Sequence, residues 1–459
     1  MRLTVIGCGH LGATHAACMA EIGHQVLGVD IDQDRVDLLC TGRAWFLEPG
    51  LDEMLARHVR SGRLRFTTSF EEAAAFAAVH FLGVGTPGLP DSAGYDLSQV
   101  FGAIAALAPH LTRPALIIGK STVPPGTTAR LAGQLRDMAP AGDGVKVAWN
   151  PEFLREGHAI EDTTRPDRIV VGVPDSDSEA TIREIYRTLT DIGIPLIATD
   201  AVTAELVKGA ANAFLATKVS FINAMADVCA KTGADVATLA DAMGLDARIG
   251  RAFLTAGIGY GGGCLPKDVR GLAAFAADAG AHSAADLLAA IDTINSSRRQ
   301  QVVDLVQAAL GDLSGKRIAL WGAAFKPGTD DVRDSPSLEV ADRLSRLGAR
   351  VVVYDPQAAG NALVAFPHLR QADGAVAAAT GADAVLVGTA WAEFAAVDPA
   401  AAAAAAANPL LIDACQGVEA GRWRAVGWTV AAPFPASNRG PAYTQPAPAP
   451  APALDFRTP

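Results

Sequence analysis

One pattern occurs twice in this chain and restricts its fold more than any other feature. Near the start, "RLTVIGCGHLG" runs from a short β-branched stretch into glycines and a helical pattern. It is followed by "GHQVLGVDI" (23–31) and "AVHFLGVGTP" (78–87). After residue 315 the theme returns as "KRIALWGAAFK" (316–326), "GARVVVYDP" (348–356) and "ADAVLVGTAW" (382–391). Short apolar strands alternating with amphipathic helical stretches predict a parallel sheet with crossover helices. In the first third, strands are expected at 3–7, 25–30, 79–85, 115–120 and 145–150. From 201 to 300 strand signals fade, and helical patterns such as "AELVKGAANAFLATKVSFINAMADVCAKTG" take over.

A chain of 459 residues is long for one core. The expectation is an α/β protein with two Rossmann-like doubly wound domains, 1–200 and 301–438, joined by a helical, dimerising middle domain, 201–300. Residues 439–459, with "QPAPAPAPAL", read as a disordered tail without chemistry. No uninterrupted apolar run of about 18 residues signals a membrane span. The first residues lead straight into a strand, so no signal peptide is expected. A net charge of −11 argues against nucleic acid as a partner. Six scattered cysteines without a CxxC pair give neither a disulfide framework nor a metal site, and they suit a reducing cytoplasm.

"VIGCGHLG" places Gly7, Gly9 and Gly12 as G-x-G-x-x-G between a strand and a helix. Asp30 ends the next strand at the distance expected for an adenosine ribose contact. Gly7 would allow the tight turn, Gly9 the approach of a pyrophosphate, and Gly12 the packing of helix on sheet. Asp30 favours NAD over NADP, while Arg35 stacks on adenine or softens that preference. "GKST" (119–122) is not a phosphate loop of the Walker type, because Pro114 stands where its first glycine belongs. Thr86 and Thr122, at strand ends, would line the cofactor crevice or cap helices.

Four further groups carry reactive side chains: Glu152 and Glu156 in "NPEFLREG", Lys208 and Asn212 in "ELVKGAAN", Cys264, Lys267 and Asp268 in "GYGGGCLPKD", and Lys326 and Arg333 in "AFKPGTDDVRDSP". A thiol among glycines beside a cation suits a nucleophile. Each group also has a plainer reading, as surface charge, a solvated helix face or a loop with a chance cysteine. Together with "GHQVLGVDID", "EPGLDEML", "GVGTP", "KSTVPPGTT", "NPEFLREGHAIED" and "RIG", in that order and spacing, they resemble the nucleotide-sugar 6-dehydrogenases, a likeness running to about residue 435. Lys120 in "KSTVPPG" leans the likeness towards the UDP-glucose branch.

The resemblance implies oxidation of a sugar C6 alcohol to a carboxylate in two NAD-dependent steps, with Cys264 as the nucleophile that holds a thiohemiacetal and then a thioester. It assigns Lys208 and its neighbour Asn212 to oxyanion stabilisation, Asp268 and Thr122 to a catalytic water, and Glu152 to thioester hydrolysis. Glu156, Lys267 and Arg333 fall at cofactor positions. Phe153, Leu154, Phe253, Tyr260, Gly261 and Lys326 match substrate positions, together with Glu152, Lys208 and Asn212. Arg248, in "RIG", matches an arginine reaching the substrate across a homodimer interface. The glycines near Cys264 would let backbone wrap the sugar.

Two departures stand out. "LIDACQG" has Cys415-Gln416 where the family usually carries Arg-Asn, and cysteine supplies no guanidinium fork. His10-Leu11 replaces a common Tyr-Val. The first leaves GDP-mannose and UDP-N-acetylhexosamines as alternative substrates. A non-catalytic nucleotide-binding protein would have lost Cys264, Lys208 or Asp268, and a two-electron alcohol dehydrogenase would not need the cysteine.

Overall fold

The computed structural model describes residues 1–89 and 94–434, so the proposed tail lies outside the described residues. They form two compact units, one ending at Ala211 and the other beginning at Asn212.

The first unit is built on eight strands: β1 (Arg2–Ile6), β2 (Gln25–Val29), β3 (Leu64–Thr67), β4 (Val79–Leu82), β5 (Ala115–Gly119), β6 (Val145–Trp149), β7 (Ile169–Gly172) and β8 (Leu196–Thr199). Their spatial order is β3-β2-β1-β4-β5-β6-β7-β8. Neighbours run parallel except β6 and β7, which meet antiparallel at Trp149 and Gly172. Successive side chains on a strand point to opposite faces, so a buried sheet needs apolar residues on both. Leu3 and Val5 accordingly enter one core and Ile6 the other, while Leu116 and Ile118 oppose Ala115 and Ile117 on β5.

The second unit opens with helices and ends in a six-stranded parallel sheet. Its strands are β9 (Arg317–Trp321), β10 (Arg350–Tyr354), β11 (Arg370–Gln371), β12 (Ala384–Val387), β13 (Leu410–Asp413) and β14 (Thr429–Ala431), ordered β11-β10-β9-β12-β13-β14. The same alternation recurs, with Ile318 and Leu320 in one core and Ala319 and Trp321 in the other. Helix Leu265–Asp278 packs along helix His282–Leu310 ahead of this sheet.

The helix Ala201–Thr232 falls where the sequence predicts a long helical pattern. One 18-residue window of it has a mean hydropathy of 1.3, enough by length and composition to cross a membrane. Only 39% of that window is buried, and polar as well as apolar side chains of the helix are enclosed. Ala204, Ala213, Ala216, Ile222, Ala226 and Cys229 are buried alongside the polar Glu205, Lys208, Asn212 and Asn223. Glu205 accepts the backbone N–H groups of Gly126 and Thr128, both at 2.6 Å, and so anchors the start of helix Thr127–Met138.

Candidate functional site

In the first unit the glycine turn after β1 is closed on two sides and open on the third. Gly7 has φ +86°, and a Cβ there would lie 2.7 Å from the Val84 side chain. At Gly12 a Cβ would come within 1.7 Å of the Gly7 carbonyl oxygen, so helix His10–Glu21 packs as closely as backbone permits. At Gly9 a Cβ would meet nothing within 4 Å. Gly9 is also the N-cap of that helix, and no side chain caps its first N–H groups. An open approach to uncapped amides fits a pyrophosphate. The buried Asp30 carboxylate accepts the N–H of Cys8 at 2.7 Å and of Asp32 at 3.1 Å, which holds it beside the turn. Arg35 pairs with Asp32 at 3.2 Å, and its guanidinium lies 4.5 Å from the Trp45 ring centroid. Neither threonine caps a helix. The Thr86 hydroxyl donates to the Thr122 carbonyl at 2.7 Å, tying the loops after β4 and β5, and helix Thr127–Met138 takes Gly126 as its N-cap.

Beyond β6 the chain turns through Asn150, Pro151 and Glu152. The Glu152 carboxylate accepts the Leu154 N–H at 2.6 Å and pairs with the Lys208 ammonium at 3.0 Å, their side chains only 12% and 5% exposed. The Phe153 ring lies under two cations, 3.8 Å from the Arg168 guanidinium and 5.7 Å from Lys208 Nζ. Leu154 and Glu156 are half-buried on the same loop. Just past it, the Gly157 and Ala159 N–H groups each donate to Glu48 at 2.8 Å. Glu48 also pairs with His10 at 3.0 Å, so the residue that replaces the usual tyrosine connects the glycine turn to this loop.

In the second unit Cys264 is exposed and stands at the N-cap of helix Leu265–Asp278, with Pro266 in its first turn. One turn on, Asp268 is fully buried. It accepts the Asn212 side-chain N–H at 2.6 Å and pairs with Lys267 at 2.6 Å. The glycines before Cys264 are closely bounded by contacts inside the unit. A Cβ at Gly259 would strike the Asn295 side chain at 2.5 Å, at Gly261 the Asp334 carbonyl at 2.2 Å, at Gly262 the Phe325 ring at 2.7 Å, and at Gly263 the Arg333 guanidinium at 2.4 Å. The Gly262 N–H donates to the Arg333 carbonyl at 2.9 Å. Arg333 pairs with Asp331 at 2.6 Å, and Lys326 Nζ lies 5.6 Å from the Phe325 ring centroid.

Three remaining residues of the set lie apart from Cys264 in character. The Tyr260 ring belongs to a buried cluster with Ala213, Ala216, Val269, Leu288 and Ile291. The Arg248 side chain is 90% exposed and pairs with Asp246 at 2.6 Å. Phe253 is partly exposed in a left-handed conformation, φ +65°. As for the "DACQ" departure, burial and the Asp413 charge push the Cys415 thiol well above its ordinary pKa. Its sulfur faces the Val387 carbonyl at 3.6 Å. Gln416 donates instead to the Ala256 carbonyl at 2.9 Å, on the segment leading to the glycines.

Residues 1–190 match the NAD binding domain of the UDP-glucose/GDP-mannose dehydrogenase family, residues 202–297 its central domain, and residues 319–419 its UDP binding domain. The chain belongs to that family. A UDP-glucose 6-dehydrogenase of Rhizobium meliloti is 43% identical over 416 residues, 90% of this chain and 94% of that one. UDP-glucose 6-dehydrogenase YwqF of Bacillus subtilis is 41% identical over 90% of this chain and 93% of its own. A solved UDP-glucose dehydrogenase structure from the hyperthermophilic archaeon Pyrobaculum islandicum superposes with a TM-score of 0.87 at 36% identity, covering 95% of this chain and 98% of that one.

This member of the family is therefore an NAD-dependent dehydrogenase with a nucleotide-sugar substrate, on an α/β fold with two Rossmann-like sheets. Sequence reasoning did not single out Asn150 or Asn295. Each is a buried asparagine whose partners lie far along the chain; Asn150 opens the "NPEFLREG" string, but the string does not show what its side chain reaches. Glu48 was present within "EPGLDEML", but nothing in that string shows what its carboxylate reaches.

Proposed function

We propose that this dehydrogenase oxidises the C6 alcohol of UDP-glucose to the carboxylate of UDP-glucuronate through a covalent intermediate on Cys264. The observation that carries the reading is the head of helix Leu265–Asp278. An exposed thiol stands where a helix dipole favours an anion, one turn before a buried aspartate held by Asn212 and Lys267. The relatives' own names support UDP-glucose as the substrate. NAD, when bound, accepts a hydride in each of the two oxidations.

The first oxidation turns the alcohol into an aldehyde. The Cys264 sulfur adds to the aldehyde carbon, and a proton reaches the new alkoxide, giving a thiohemiacetal. The second oxidation leaves a thioester on Cys264. Water then attacks the thioester carbon, the C–S bond breaks, and the carboxylate departs as the thiol is restored. Lys208 offers positive charge to the developing oxyanion, and Glu152 positions that ammonium while serving hydrolysis. Asp268, fixed by Asn212, and Thr122 orient the water.

Glu156, Lys267 and Arg333 contact cofactor with Gly7, Gly9, Gly12, Asp30, Arg35 and Thr86. Phe153, Leu154, Phe253, Tyr260, Gly261 and Lys326 contact the sugar nucleotide. The protein works as a cytoplasmic homodimer, with Arg248 serving the partner's site. Exposed Phe214, Phe221 and Val228, seven residues apart along one helix, support that surface, and no disulfide joins the six cysteines.

The test is NADH formed per sugar nucleotide consumed, with UDP-glucose, UDP-N-acetylhexosamines and GDP-mannose offered separately. Two NADH per UDP-glucose is the expected result. Two NADH with another donor instead would overturn the substrate, and one NADH would overturn the covalent route. Cys264→Ser should abolish steady turnover; uronate released at the normal rate would remove the thioester.

A further inference from the structure

Among the buried charges that the proposed chemistry leaves unused is Lys120. Lys120 follows β5, its backbone N–H donating to the Leu82 carbonyl at 2.9 Å. Its side chain turns inward and is almost wholly enclosed, at 7% exposure. The ammonium donates to the Asn150 side-chain oxygen at 3.0 Å and approaches the Asn150 carbonyl at 3.4 Å. The same side-chain oxygen accepts the Tyr186 hydroxyl at 2.6 Å, while the Asn150 amide donates to the Val170 carbonyl at 2.8 Å. The Asn150 backbone N–H donates to the Gly119 carbonyl at 2.7 Å. One asparagine thus knits the ends of β5 and β6 to β7, and Lys120 is the charge in that knot. Two residues on is Glu152, paired with Lys208.

A buried ammonium is costly, and an apolar side chain of similar length would fill the space without that cost. Its retention beside Glu152 calls for a role. We propose that Lys120 is a positioning residue for the Glu152–Lys208 pair: by gripping Asn150 it fixes the turn that carries Glu152, and its charge sets how firmly Glu152 is held. The inference rests on the placement of Glu152 and Lys208 in the reaction.

The surroundings support a titrating role. Burial pulls the Lys120 pKa down to about 8; Glu152 favours the charged form and Lys208 opposes it. From the other elements around it, Lys120 faces the Phe81 ring on β4, at 5.9 Å from its centroid, and His15 on helix His10–Glu21, which burial and Lys120 keep neutral. Below about pH 8 the ammonium is present and the turn is held. As pH rises through 8 that charge is lost, so the rate carries an alkaline limb there. Stability moves the other way. The folded chain gives up this proton earlier than an unfolded lysine does, so the group's destabilising effect is full below pH 8 and disappears as pH approaches 10.5.

The test measures kcat and KM against pH for the full-length enzyme with UDP-glucose and NAD. In Lys120→Met, kcat should fall at least tenfold at pH 7, with KM for NAD within twofold, no alkaline limb near pH 8, and a Tm no lower than the parent's. Lys120→Arg, whose charge does not titrate in this range, should recover much of kcat and also lack the limb. A limb at pH 8 persisting in either variant would overturn the proposal, as would a wild-type kcat in Lys120→Met. If Lys120→Met does not fold, the Lys120→Arg profile decides alone. Lys208→Met separates the two levels of inference. Normal turnover in that variant would sink the functional reading and this proposal together. Its loss, with the limb intact in the Lys120 variants, would sink this proposal only.

Discussion

The two sheets answer the same topological problem with different chemistry at the turn after the first strand. After β1 the turn reads Gly7-Cys8-Gly9, and it is open at Gly9. After β9 it reads Gly322-Ala323-Ala324, and both alanines are fully buried. The acidic residue on the neighbouring strand differs in the same sense. Asp30 accepts two backbone N–H groups. Asp355 accepts four, from Ala323, Ala324, Gln357 and Ala358, and also the Trp391 indole N–H at 3.0 Å. The first turn keeps room for a ligand's phosphates. The second has its carboxylate engaged by its own chain, in keeping with a domain matched to UDP rather than to a dinucleotide. A repeated supersecondary pattern therefore predicts a scaffold, and the atoms at its turn decide the ligand.

The comparison can be broken most forcefully at Gly12. A Cβ 1.7 Å from the Gly7 carbonyl cannot be accommodated without moving backbone, so Gly12→Ala should cost about 3 kcal/mol or more in denaturant unfolding. Parental stability in that variant would mean the turn is looser than described. Next comes Asp355→Asn. It removes a charge and replaces one acceptor oxygen by a donor against several N–H groups, and should cost about 2 kcal/mol while leaving NAD affinity unchanged. A weakened NAD affinity with intact stability would reverse the assignment of the two turns. The finest test is a reciprocal pair. Gly9→Ala should leave stability within about 1 kcal/mol, since its Cβ meets nothing, yet weaken NAD binding about tenfold, measured calorimetrically. Ala324→Gly should cost about 1 kcal/mol and leave NAD binding untouched. Equal NAD affinities across the pair would remove Gly9 from the cofactor site.

The parts legible from sequence were those written locally. Gly7, Gly9, Gly12 and Asp30 follow one another along a strand–turn–helix–strand path, and the five strands expected in the first unit correspond to β1, β2, β4, β5 and β6. The strands not foreseen, β3, β7, β8, β11, β13 and β14, are short, none longer than four residues. A pattern that short does not rise above its loops. Candidate site residues were legible only through resemblance, because their partners lie far away in sequence. Asn212 meets Asp268 across 56 positions and Lys208 meets Glu152 across a similar gap, with no periodicity to join them. Lys120 was visible only as a branch marker; that it is buried, and on what, belongs to the fold.

The run from Gly259 to Gly263 carries a consequence for how this protein can vary over generations. Positions 259, 261, 262 and 263 are each bounded by a specific neighbour, Asn295, Asp334, Phe325 and Arg333 respectively. A side chain gained at any of them would need its neighbour to move. Single substitutions here therefore face a barrier, from backbone at Gly261, from positive φ at Gly259 and Gly262, and most mildly at Gly263, where the neighbour is the flexible end of Arg333. The neighbourhood of Cys264 therefore tolerates few single changes, whereas the segment at Gln416 is held by one side-chain hydrogen bond to the Ala256 carbonyl.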